Sequence, residues 1–67
     1  MQVIVTHANN GAVERFTGEP DQVRNQLVVR WPWLQDDHTN PSYRPESFND
    51  VIGRLGRQEN FFVQVEQ

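Results

Sequence analysis

Residues 31–34 read Trp-Pro-Trp-Leu, and no other stretch constrains the fold of this 67-residue chain as tightly. Proline fixes φ, lacks a backbone N–H and pushes its predecessor toward extended geometry, so a helix arriving from residue 20 or so must stop near Arg30 or Trp31. Two of the largest side chains flank that stop. In a chain with room for one core, each tryptophan either closes over that core or stands as a rigid aromatic anchor for a partner.

Size sharpens the choice. Residues 1–67 make a single small domain, and a chain of this length buries only about 60% of the surface its unfolded form exposes. The sequence contains no cysteine, so disulfides, thiolate nucleophiles and cysteine metal motifs are excluded. Small secreted domains usually need such staples, which points to a reducing, cytoplasmic setting. The longest apolar runs are a few residues, too short for a signal peptide or a membrane span.

Around the tetrapeptide the chain divides into five elements. Gln2 to His7 alternates as a strand. Asn9-Asn10-Gly11 then gives a hairpin signal, because asparagine and glycine accept positive φ. Ala12 to Thr17 returns as the second strand. A two-residue loop at Asn10-Gly11 pairs Val5 with Phe16 and His7 with Glu14, whereas a three-residue loop with a bulge at Gly11 pairs Ile4 with Phe16. Both registers bury Phe16.

Gly18-Glu19-Pro20-Asp21 reads as a helix start, with proline in the first turn and acids at the positive end of the dipole. Val23, Leu27, Trp31 and Leu34 recur at near-helical spacing and form one apolar face. Leu27-Val28-Val29 is also good strand sequence, and Val28 and Val29 fall off that face; the helix is the reading kept. Gln35 to Arg44 is a long polar loop with a turn-initiating Asn40-Pro41. Pro45 and Ser47 open a second helix, with Asp50 completing a capping-box pattern. Phe48, Val51, Ile52 and Leu55 share its apolar face, and Gly56 reads as its stop. Asn60 to Glu66 closes the chain as a strand, with Phe61, Val63 and Val65 on one side. The expected fold class is α+β. It is a two-layer domain of order β-β-α-α-β, with a three-stranded, mainly antiparallel sheet and two helices on one face.

Chemistry has little to stand on. The two histidines are His7 and His38, the latter beside Asp36 and Asp37, and no recognised metal-ligand spacing accompanies them. Asp36-Asp37-His38 reads as a solvated loop, and His7 reads as a cross-strand partner of Glu14. Ser42 lies in no nucleophile elbow, and Ser47 is explained as a helix cap. Glu14 and Glu66, taken as an acid–base pair, are equally ordinary as solvent-facing strand residues. The expectation is therefore a non-enzyme with no cofactor, no metal site and no catalytic residue.

Charge bears on the partner. The net charge is −3, and all six basic residues are arginines. The absence of lysine excludes Schiff-base chemistry and a P-loop. Arg15, Arg30, Arg44, Arg54 and Arg57, with Trp31, Trp33 and Tyr43, offer the residue types of a weak single-strand nucleic-acid binder. Nine acidic residues oppose it, five of them near these arginines in sequence: Asp36, Asp37, Glu46, Asp50 and Glu59.

Tryptophan, tyrosine and arginine are also the types enriched at protein interface hot spots. The expected contact surface is Arg30, Trp33, Tyr43 and Arg44. Trp31 falls on the buried side of the helical register, and Trp33 has no required core position. The leading expectation is a protein–protein interaction module, a small regulatory or inhibitory factor of bacterial or phage type. A homodimer is a further expectation, formed where the strand Gln2–His7 or 60–66 pairs across a two-fold axis through an unblunted edge.

Overall fold

The computed structural model describes residues 1–35 and 47–67. Strands β1 (Gln2–His7) and β2 (Val13–Thr17) are followed by helix α1 (Pro20–Arg30) and a 3₁₀ turn (Pro32–Leu34). Helix α2 (Phe48–Gly56) and strand β3 (Phe61–Glu66) complete the described chain. The sheet order is β2-β1-β3, antiparallel throughout, so the α+β order read from the sequence holds. Among the described residues no helix is long and apolar enough to cross a membrane. The expected loop beyond Gln35, with Asp36-Asp37-His38, Tyr43 and Arg44, and the Pro45 expected to open the second helix lie outside the described residues.

The hairpin register differs from both expectations. Val3 pairs with Phe16 and Val5 with Glu14, because the loop between the strands holds four residues, Ala8 to Gly11. His7 and Ala12 close it, with the His7 N–H donating to the Ala12 carbonyl at 2.7 Å and the Gly11 N–H to the His7 carbonyl at 2.8 Å. Gly11 takes φ +74°, and the Asn10 side-chain oxygen accepts from the Ala12 N–H at 2.9 Å. That local bond is a substitute for the tighter two-residue turn. Phe16 still lies on the helix side of the sheet and is half-buried.

β1 is the central strand. Its backbone groups are engaged on both sides, so an edge pairing through Gln2–His7 is ruled out and the edges are β2 and β3.

Both helices are punctuated as the sequence suggests. At the start of α1 Pro20 takes the first helical position, and the Gln22 side-chain oxygen reaches back to accept from the Glu19 N–H at 2.9 Å in a capping-box arrangement. α1 ends at Arg30, and Trp31 leaves helical geometry at φ −131°, ψ 84° under the constraint of Pro32. Ser47 Oγ accepts from the Asp50 N–H while the Asp50 carboxylate accepts from the Ser47 N–H, at 3.2 and 3.3 Å. α2 stops at Gly56 as expected, though without a left-handed turn: Gly56 is the last helical residue, and Arg57 follows at φ −80°.

The core is one cluster. Val3 and Val5 of β1, Val23 and Leu27 of α1, Trp31, Leu34, and Val51 and Leu55 of α2 are all buried. The four residues predicted to share the first helical face, Val23, Leu27, Trp31 and Leu34, all belong to it. Both helices thus cover the same face of the sheet.

Candidate functional site

One end of the helix layer gathers the side chains with chemical character. Trp31 sits at the exit of α1, 6% exposed. Its ring lies 5.2 Å from Phe61 and 5.7 Å from Phe16 between centroids. His7 packs edge-on against Phe61 at 5.1 Å. Aromatic pairs at such tilts favour contact between ring edge and ring face, so Trp31 joins β2, β3 and α1 in one closure of the core.

A charged group seals this closure. Arg30 Nε donates to Glu14 Oε1 at 2.8 Å and Arg30 Nη2 to Glu14 Oε2 at 3.2 Å, a two-pronged pair between α1 and β2. The Arg30 guanidinium also lies 4.8 Å from the Trp31 ring centroid, a cation–π placement. The hydrogen bond from Arg30, opposed by burial and aided by His7, holds the Glu14 carboxyl below its ordinary range. Glu14 is therefore ionised at neutral pH, and His7 Nε2–H is the donor in the 2.5 Å contact to Glu14 Oε2. His7 and Glu14 do meet across the hairpin, but diagonally, since Val5 is the residue opposite Glu14.

Beyond Trp31 the chain turns outward. Pro32 and Trp33 are exposed, Trp33 at 46%, while Leu34 returns to the core at 0%. The turn is fixed at several points. The Leu34 N–H donates to the Trp31 carbonyl at 3.0 Å and the Gln35 N–H to the Pro32 carbonyl at 3.2 Å. Arg54 Nη1 of α2 donates to the Leu34 carbonyl at 2.8 Å. Trp33 is thus presented between two buried anchors on a turn with little freedom, and no ring among the described residues packs against it. Val29, in the last turn of α1, is 81% exposed, so exposed apolar side chains occur at Val29, Pro32 and Trp33 along this stretch.

Of the four residues expected at a contact surface, the structure places Arg30 and Trp33 three positions apart at this corner. Arg30 is half-exposed, yet its guanidinium is committed to Glu14 and Trp31. Tyr43 and Arg44 lie outside the described residues. The sequence reading missed the Glu14–Arg30 pair, because it depends on how α1 crosses β2 and leaves no local spacing signal. It also took Arg54 only as one of the arginines a nucleic-acid surface would need, whereas its hydrogen bond to Leu34 ties α2 to the 3₁₀ turn. Among the described residues no cavity is present and no group of three or more histidine, aspartate or glutamate side chains is placed to hold a metal ion.

No protein-family model, no curated protein and no solved structure matches this chain.

Proposed function

We propose that this chain is a non-enzymatic protein–protein interaction module of the cytoplasm, a small regulatory or inhibitory factor that engages a protein partner through the corner at Trp33. The observation that carries the reading is Trp33 itself, half-exposed on a turn held by Trp31, Leu34 and Arg54. A large aromatic already fixed in place loses little conformational freedom on binding, which is the economy of a hot-spot anchor. Pro32, its exposed neighbour in the turn, supplies apolar surface beside it, and the half-exposed Arg30 three residues earlier supplies a polar group. In this reading Arg30 orients the corner, and Tyr43 and Arg44 add contacts from the segment that follows.

Three of the arginines that the nucleic-acid alternative draws on are set apart or engaged within the protein. Arg15 faces away from the helices on β2, Arg30 is paired with Glu14, and Arg54 donates to Leu34. No observation favours it as a second reading.

The test is affinity capture from cell extract with wild-type protein and Trp33→Ala in parallel, followed by a binding titration of each captured protein. The reading predicts a partner whose affinity falls at least tenfold in Trp33→Ala, with little salt dependence. Equal affinity for both forms would contradict it, and so would a steep loss of affinity with salt, the mark of phosphate contacts.

A further inference from the structure

The helices cover one face of the sheet, and the other face carries a pattern that matches itself. Its rows follow from the register. Thr6 lies between Val13 and Phe62, Ile4 between Arg15 and Gln64, and Gln2 between Thr17 and Glu66. Antiparallel sheets commonly present a polar face to water. Here the first row places Val13 at 47% exposure and Phe62 at 66% on opposite edges of the sheet. The two charges of this face are also on opposite edges and of opposite sign, Arg15 on β2 and Glu66 on β3. Arg15 has no hydrogen-bond or ion-pair partner among the described residues, and Glu66 accepts one long bond from Gln2 Nε2 at 3.4 Å.

We propose that this face packs against the same face of a second copy, about a two-fold axis parallel to β1. Sheets stacked face to face keep their strands within about 30° of one another. Under that axis β1 lies on β1, and β2 of each copy lies on β3 of the other. Val13 then meets Phe62 of the second copy twice over, and Ile4 meets Ile4. Arg15 lands on Gln64 of the second copy, with Glu66 two residues along the same strand, about 7 Å away and within reach of an arginine side chain. The other face-to-face two-fold, perpendicular to the strands, sets Arg15 on Arg15 and Phe62 on Glu66. Charge and apolar surface therefore select one isologous arrangement. The product is a four-layer assembly, helices outside and sheets within, and it leaves the Trp33 corner free.

The face is small. Three strands about 4.8 Å apart and five residues long span roughly 15 by 17 Å, so association belongs at the weak end of specific interfaces. The test is sedimentation velocity from about 10 µM to about 1 mM on four proteins: wild type, Phe62→Ser, Arg15→Glu, and Arg15→Glu combined with Glu66→Arg. Circular dichroism confirms that each is folded. Wild type is expected to dimerise within this range, Phe62→Ser and Arg15→Glu to weaken the dimer at least tenfold, and the double reversal to recover it. A wild type that stays monomeric overturns the proposal. So does a dimer that ignores all three variants, as pairing through the free edge of β3 or through the Trp33 corner would. A double reversal no better than Arg15→Glu alone overturns the charge pairing that selects the axis.

Discussion

Glu14 is the residue through which three elements meet, since its carboxylate takes bonds from Arg30 at the end of α1 and from His7 at the end of β1. Those bonds favour the ionised form and lower its folded-state pKa below the ordinary 4.5. The sign of the pH dependence follows. A lowered carboxylate contributes stability that is complete above its unfolded-state value and disappears as pH falls through the folded-state value. Thermal melts of wild type and Glu14→Gln between pH 7 and pH 3 are therefore expected to show a gap at neutral pH that closes as pH drops below 4.5. A gap that stays constant across this window would show that the carboxylate's charge is not what matters. This pair was only half legible in the sequence. Alternation along the hairpin put His7 and Glu14 on one face in any register that kept their parity, but nothing local announced Arg30.

At the scale of elements, the caps carry most of what the sequence made readable. Ser47 and Asp50 stand three apart before an apolar run, and the structure shows the reciprocal bonds that this spacing allows. Replacing Ser47 by alanine removes an acceptor for a helix N–H and is expected to cost about 1 kcal/mol by denaturant titration. Gly18 presents the opposite case. It sits at φ +138°, and a Cβ there would meet Gln22 Oε1 at 2.8 Å, the oxygen that accepts from the Glu19 N–H. Gly18→Ala is expected to destabilise by more than about 1 kcal/mol, with helix lost from the start of α1 in circular dichroism; a neutral substitution would mean that the α1 capping box is dispensable. The hairpin register was not legible for a physical reason. Asn-Gly specifies that the chain turns, while the number of loop residues is set by the Asn10 side chain bonding to Ala12 and by the partners available to Val3 and Val5. The 3₁₀ turn at Pro32–Leu34 was equally silent, since its stability comes from Leu34 in the core and from Arg54 on a distant helix.

For the molecule as a whole, the eight buried residues among those described form one cluster that joins the sheet to both helices. Among the described residues no second core shares the load, so damage anywhere in it is felt throughout them. Leu27→Ala, at a position with 0% exposure, is expected to cost about 2–5 kcal/mol, a large part of the total stability of a domain this small. A two-state melt reporting less than about 1 kcal/mol would show that the cluster is not one cooperative unit. The same core decides what the two tryptophans are for. They stand two residues apart, and the helical register that sets Trp31 inward requires no core place for Trp33; packing agrees, since Trp31 closes the core among Phe16, His7 and Phe61, while Trp33 stands outside it. The account of function rests on that separation. It is tested most directly by acrylamide quenching of the single-tryptophan variants Trp31→Phe and Trp33→Phe. The account predicts that Trp33, as sole reporter, emits red-shifted light and is freely quenched, while Trp31 is blue-shifted and protected. A protected, blue-shifted Trp33 would make both rings part of the core and remove the anchor from the proposed interface.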